Sequence, residues 1–424
     1  MHKSKSPYFY LFLFLFLNVL NFIDRNILFA FGNEIKADFN LTNTQWGLVS
    51  GIVFLFFYAT CSIFIGALGD RLSRTKIIAV GLLLWSSMTA LTGMAKNVFL
   101  LFLSRAFIGV GESSLTPSAM SMLSDVFPKE KRGMAGGIYY FGIPLGVGLG
   151  FLIQATLGPI FGWRNIFIGL GVIGALISIF IYFLTEPIRG EIDGMQNQEK
   201  SSSLKDSLKD TYKAVTSSKS LFFVILAGTL NNIPIGVGSF DSIWAVQERG
   251  FTAVEYNSLF GLYFIIGGGI GTIVGGYLSD LLGSKLKGGP MHFLFYSYLI
   301  MTPIIILYRI VSPESIWFYI SLFFISINIS FFYGAVFSTI QNLTSTKIRG
   351  TVIGLWVLSV NIFGIALGAF LTGFFADNVF NNYEEPLTIT MIVMGGFGVL
   401  AMVCYYLAGI WYREDLAKVN RDFN

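Results

Sequence analysis

The chain has 424 residues, of which 54% are hydrophobic and only 12% charged, against about a quarter charged in soluble domains. With a mean hydropathy of +0.69, its main solvent is lipid, and a separate soluble domain of ordinary size has no room between the apolar runs. The formal charge of +4 is small and follows membrane topology, so no nucleic-acid partner is implied.

A span needs ~20 predominantly apolar residues, and twelve stretches qualify, at roughly 8–32, 46–68, 77–95, 98–125, 133–157, 164–184, 220–246, 256–279, 291–310, 315–340, 350–375 and 387–411. The first is preceded by two lysines, as in a signal peptide, but it runs too long and has no small-residue cleavage site, so it is read as a retained helix. It carries Asp24 and Arg25. A charge near the bilayer centre costs at least ~2.5–3.5 kcal/mol, so such residues usually line a polar cavity or pathway.

The second span ends in Gly66-Ala-Leu-Gly-Asp70-Arg71-Leu-Ser-Arg74. The fourth carries Arg105 and Glu112, seven residues apart and so on one face of a helix, and ends near Asp125. Glycines fill the fifth, among them Gly136, Gly137, Gly142, Gly146, Gly148 and Gly150, and Pro144 is expected to bend it.

Residues 186–219 are rich in Ser, Lys, Asp and Gln and separate six spans from six. The spacing of Leu204, Leu208, Tyr212 and Val215 fits an amphipathic helix at the membrane surface, while a solvated tether is the plainer reading. The domain reading is therefore a six-helix bundle over 1–185, a cytoplasmic linker over 186–219 and a second bundle over 220–424.

In the seventh span Pro234-Ile-Gly236-Val-Gly238 should break the helix just before Asp241, which either gates or contacts substrate or else faces outside water. The eighth holds Gly267, Gly268, Gly269, Gly271 and Gly275, and ends in Gly276-Tyr-Leu-Ser-Asp280. That Gly-x-x-x-Asp repeats Gly66-x-x-x-Asp70 six spans later, which implies duplication of a six-helix unit.

Lys and Arg mark the cytoplasmic side. With both termini inside, the cytoplasmic segments hold 21 of the 28 basic residues, and the outer side only Lys36, Lys96, Arg164, Arg249 and Arg309. Cys61 and Cys404 lie in spans of different halves, and His2 and His292 are the only histidines, so neither a disulfide framework nor a metal site is expected.

The Gly66-to-Arg74 loop resembles the signature loop of the major facilitator superfamily, and Arg105-x-x-x-Gly109-x-Gly111 resembles its fourth-helix motif. A closer resemblance, to the Spinster-like branch, rests on Asn21-Phe-Ile-Asp24-Arg25, Arg105 through Ser113, Thr116-Pro117, Asp125-Val-Phe-Pro128, Tyr139 through Gly150, Gly162-Trp-Arg164 and Asn361 through Gly368. It covers nearly the whole chain and is densest in the first half. The resemblance implies an all-α membrane fold of two pseudo-symmetric six-helix bundles, transporting lysophospholipids or sphingolipid-type amphiphiles, in some members with protons. It also implies that the Asp70 loop, with Gly66, Arg71, Arg74 and Asp125, latches a cytoplasmic gate against the eleventh helix.

The charged residues support two accounts. In one, Asp24, Arg25, Arg105 and Glu112 form a buried ion-pair network that only ties the first and fourth helices together. In the other, a carboxylate whose Arg partner can be drawn away switches protonation, with Glu112 the first choice and Asp24 the second. Arg25 and Arg105 then hold an anionic head group in two-pronged fashion. Tyr139, Tyr140, Phe141, Tyr333 and Trp356 are the aromatic residues expected to line a cavity. Gly142, Pro144, Gly146, Gly276 and Asp280 are assigned to helix packing and bending.

No G-x-x-x-x-G-K-[ST] or H-E-x-x-H segment occurs, so neither an ATP-driven pump nor a zinc enzyme is expected. The expectation is a monomeric proton-driven carrier in the bacterial inner membrane, with no cofactor, moving an anionic amphiphile. The alternative substrate is a small organic anion such as a sugar phosphate or carboxylate, and a channel or receptor is the remaining class.

Overall fold

In a bilayer every backbone polar group needs an internal partner, which leaves a chain this apolar with the helix as its natural element. The computed structural model describes residues 6–69, 72–189, 204–345 and 348–422, and among them the secondary structure is entirely helical. Eleven helical stretches are long and apolar enough to cross a membrane. One of them, Lys129–Tyr182, has 54 residues, enough for two spans at 1.5 Å per residue. It is divided at Gly162, whose φ of 71° only glycine adopts without cost. The twelve expected spans are therefore accommodated.

The spans are, in order, Pro7–Ala30, Asn43–Gly66, Arg74–Gly93, Val98–Val126, the two parts of Lys129–Tyr182, Lys219–Glu248, Ala253–Gly283, Gly289–Ile310, Ile316–Asn342, Arg349–Asn378 and Pro386–Val419. Large apolar side chains such as Phe64, Phe99, Ile160 and Tyr277 point outward, the inverse of a soluble surface and suited to lipid contact. Between the sixth and seventh spans Leu204–Ser217 is helical, with Leu208 and Tyr212 exposed and Val215 partly buried.

Proline explains two of the interruptions. Pro117 has no N–H for the Ser113 carbonyl, and the fourth span divides there into Val98–Glu112 and Leu115–Val126. Pro144 likewise leaves the Tyr140 carbonyl without its helical donor, and the fifth span divides at Phe141. In the seventh span the interruption comes later than expected. The helix runs on past Pro234 to Val237 and gives way to a 3₁₀ turn only at Gly238–Phe240.

The chain forms two compact units, and neither is one uninterrupted half of the sequence. One comprises residues 1–41, 48–200 and 251–262, the other 42–47, 201–250 and 263–424. The second has a core of Leu221, Leu294, Phe332, Val336, Trp356 and Tyr405, among others, all at most 1% exposed. In the first, Tyr10, Phe14, Trp85 and Phe167 are equally buried.

Glycine packing is selective. Gly142 faces Asn18, and Gly146 lies against the Val19 carbonyl and Phe22, so the fifth span rides on the backbone of the first. In the eighth span the tight face is Gly267, Gly271 and Gly275 against Ser326, Ile327 and Phe331 of the tenth. Gly276 lies one position off that face and a side chain there would meet nothing, although its own Cα is close to Gly334. Asp280 is exposed.

Candidate functional site

The first unit gathers the four intramembrane charges. Gly109, one turn from Arg105, sits so close to the Phe54 carbonyl that a methyl group would collide with it, and Gly111 does the same against Gly81 and Trp85. These contacts draw the fourth span onto the second and third. Phe54 thereby receives two cations: the guanidinium of Arg105 lies 4.8 Å from its ring centre and that of Arg25 lies 4.9 Å away. Phe22 and Tyr58 flank Arg25 at 4.9 and 4.8 Å, in the range of a cation–π contact.

Arg25 pairs with Glu112: Nη2 donates to Oε2 at 2.8 Å and Nε to the same oxygen at 3.2 Å. The Glu112 side chain is wholly buried and that of Arg25 is 16% exposed. Among the described residues no hydrogen bond within ordinary geometry reaches Glu112 Oε1, Asp24 Oδ1 or Asn21 Nδ2, although Asn21 interacts with Glu112 and Trp85 with Asp24 at longer range. Arg105 is 0% exposed, and none of its three guanidinium nitrogens has a hydrogen-bond partner among the described residues. A buried cation in this state is costly unless something pairs with it.

The sequence thus brings the expected quartet into one buried cluster, and among the described residues the salt bridge closed within it is Arg25–Glu112.

At the cytoplasmic end by the expected topology, Asp70 and Arg71 lie outside the described residues, and Gly66 has open space where a side chain would go. Arg74 is buried and joins three segments. It donates to Asp125 at 2.5 Å, to Ser121 at 2.9 Å and, through Nε, to Glu186 at 2.7 Å. The other Glu186 oxygen caps the third span by accepting from the Arg74 backbone N–H at 3.0 Å. Burial opposes the Glu186 charge, but the hydrogen bonds from Arg74 and Ser73 and the field of Arg74 and Arg189 outweigh it and hold the carboxyl below its ordinary range. Glu186 reads in sequence as the first residue of a linker, and no local signal marks it as Arg74's partner.

The aromatic expectations divide. Tyr139 is fully buried, its hydroxyl 3.0 Å from Thr116 and its carbonyl accepting from Asn18. Trp356 is 1% exposed and packs over Gly228 and edge-on to Phe337. Each is buried in the core of its own unit. Tyr140, Phe141 and Tyr333 are partly buried, and Tyr333 stacks on Phe332. An apolar hollow of about 300 Å³ in the second unit is lined by Phe222, Ile225, Thr229, Leu355, Ser359 and Phe363, with none of the five.

Asp241 does not face open water. It is 4% exposed and accepts from Arg309 at 2.5 Å, beneath Trp244, over which Arg309 and Arg249 lie at 4.4 and 5.2 Å.

A helical protein of a dozen spans with an unsatisfied cation buried beside a salt bridge belongs to the class of polytopic membrane carriers. The chain belongs to the Major Facilitator Superfamily, which it matches over residues 14–362. It is 24% identical to protein spinster of Drosophila melanogaster over 391 residues, covering 90% of this chain and 64% of the fly protein. It is 26% identical to the sphingosine-1-phosphate transporter SPNS2 of Danio rerio over 438 aligned positions, covering 95% of this chain and 84% of that protein. In fold it is similar to the crystal structure of a bacterial homolog of the human lysosomal transporter Spinster, in an inward-facing and unoccupied conformation. The TM-score is 0.83 at 23% identity, covering 97% of this chain and 99% of the other. The protein is a multi-pass membrane transporter of this superfamily, similar in sequence and fold to Spinster proteins.

Proposed function

We propose that this transporter works by alternating access and moves an anionic amphiphile, with a lysophospholipid or a sphingolipid-type phosphate as the substrate class. The observation that carries this is the guanidinium of Arg105, buried with no hydrogen-bond partner among the described residues and facing the same ring as Arg25. A phosphate seated between the two would supply the missing acceptor and pair with Arg in its preferred two-pronged geometry. The zebrafish relative, named as a sphingosine-1-phosphate transporter, points to the same chemistry.

Protons drive the cycle in this reading. An anionic head group that draws Arg25 away from Glu112 leaves a carboxylate in a dry site, where taking up a proton relieves the buried charge. Asp24, buried in the same cluster, is the second proton carrier. The Gly66–Arg74 loop, through Arg74 and Asp125, gates the cytoplasmic side. Both termini are cytoplasmic, the protein acts as a monomer, and its membrane is the bacterial inner membrane.

The test is thermal stabilisation of the purified protein by a series of ligands. Lysolipids with anionic heads should raise the melting temperature more than uncharged-head lipids of equal tail length and more than sugar phosphates. Stabilisation by the small anions alone would replace the amphiphile with the small-anion reading. No response to any of them would remove both.

A further inference from the structure

Glu34 stands apart from the intramembrane quartet. It lies in the short helix Gly32–Phe39 that follows the first span, on the side that the distribution of Lys and Arg assigns to the outside. Its Oε1 accepts from Gln154 Nε2 at 3.0 Å. Gln154 Oε1 in turn accepts from Asn257 Nδ2 at 2.6 Å, and the same nitrogen donates to the Ala30 carbonyl at 3.0 Å. All four residues belong to the first compact unit.

The surroundings of this chain of bonds are dry. Asn257 is 0% and Gln154 2% exposed. One turn from each along its helix, Phe151 and Phe260 meet with ring centres 4.5 Å apart.

The donors and acceptors do not balance. Glu34 Oε2 and Asn257 Oδ1 are buried acceptors that no donor reaches among the described residues, and a buried acceptor without a donor carries its desolvation penalty in full. One proton on Oε2 removes the charge from the dry site and turns that atom from an unmet acceptor into a donor. The charges nearby favour the same outcome. Gln154 of the fifth span and Asn257 of the eighth are neutral, and the field that Asp38 adds from one turn further along is of like sign. Arg164 is turned to Asp38 at 3.4 Å and to the Ala95 carbonyl at 2.6 Å.

We propose that Glu34 is a resident proton-binding site, open to the outer compartment and independent of the intramembrane carboxylates, through which the first unit reads outer acidity. The residue is partly exposed, so water brings the proton to it. Behind it stand two carboxamides, which do not titrate and cannot hand a proton on, so the chain of bonds ends at Asn257 and the Ala30 carbonyl and the proton stays. The site therefore goes beyond the transport reading, and its test needs no substrate.

Infrared difference spectroscopy on the full-length protein in lipid nanodiscs, stepped in pH, makes the test. The parent should show the carbonyl stretch of a protonated carboxyl that persists above the ordinary carboxylate range, and Glu34→Gln should abolish it. Glu34→Asp keeps a titratable group, should shift the frequency of the band, and serves if the glutamine variant does not fold. Gln154→Leu removes a hydrogen bond that favours the ionised form and should move the midpoint to higher pH, whereas a packing role for Gln154 would leave it in place. Amide-I changes that accompany the titration in the parent and vanish in Glu34→Gln are the expected sign of sensing. A spectrum that Glu34→Gln leaves unchanged, or a Glu34 midpoint within the ordinary carboxylate range, overturns the site. Loss of the band in the Asp24→Asn, Glu112→Gln protein overturns its independence, and titration with no amide-I response overturns the sensing.

Discussion

Arg25 donates twice to a single oxygen of Glu112, and the second oxygen has no hydrogen-bond partner among the described residues. The pair is enclosed yet incomplete, so its separation strands less hydrogen bonding than a two-pronged bridge would. Replacing Glu112 with Gln keeps an acceptor for Arg25 and removes the titratable group.

Glu112→Gln should therefore fold normally and fail in pH-gradient-driven uptake by proteoliposomes. Uptake at the parent rate under a proton gradient would remove the coupling role and leave Asp24 as the remaining carboxylate to test.

Arg105→Lys separates anion recognition from structural pairing. Lysine keeps the charge but not the planar fork, so affinity for an anionic amphiphile should fall by ~1.5–3 kcal/mol, the range for hydrogen bonds to charged groups. A lipid with the same tail and an uncharged head should bind both proteins alike. Loss of melting temperature with unchanged affinity would make Arg105 a strut.

The Arg74–Glu186 clamp predicts a pH effect with a definite sign. A carboxyl held below its ordinary range stabilises the fold above that range, and the contribution is lost as pH falls through the lowered value. Glu186→Gln should cost about 1 kcal/mol at neutral pH, at the low end for a charged hydrogen bond because water reaches this carboxylate. Thermal melts near the bottom of the carboxylate range should converge for the two proteins, and a gap that persists there would refute the clamp.

Glu34 predicts the opposite sign. It lies just beyond the first span, accepts from Gln154 at 3.0 Å with its other oxygen unpartnered, and burial pushes its carboxyl up. Rising pH ionises the unfolded chain first, so stability falls from the ordinary carboxylate range upward until the folded group ionises as well. Glu34→Gln should flatten that decline and melt higher than the parent at pH 8, and equal melting curves at pH 5 and pH 8 in the parent would contradict it.

Gly146→Ala tests the contact between the first and fifth spans. A methyl group there meets the Val19 carbonyl and Phe22, and overpacking of this kind costs about 1–3 kcal/mol. The matched control is Gly137→Ala, with open space at a helical position, where alanine's better helix propensity should leave stability equal or raise it by up to about 1 kcal/mol. Similar melting temperatures for the two variants would show that the contact at Gly146 accommodates a methyl group and is not tight.

By itself the sequence determined the spans, because bilayer thickness fixes the length of an apolar run whatever it packs against. It also determined the choice of Asp24, Arg25, Arg105 and Glu112, since an ionisable residue inside such a run is conspicuous without coordinates. The break at Pro144 was legible for the same local reason, a missing N–H. What only the tertiary structure decided was pairing. That Arg25 takes Glu112 while Arg105 is left without a hydrogen bond depends on how closely Gly109 and Gly111 let three helices approach. Arg74 with Glu186, Asp241 with Arg309, and Gln154 with Asn257 are each joined across long stretches of chain, and no period or motif encodes such a distance. The aromatic positions show the same limit. Tyr139 and Trp356 have the composition of cavity residues, yet they lie in the core, because the side of a helix that faces a neighbour is set by the neighbour.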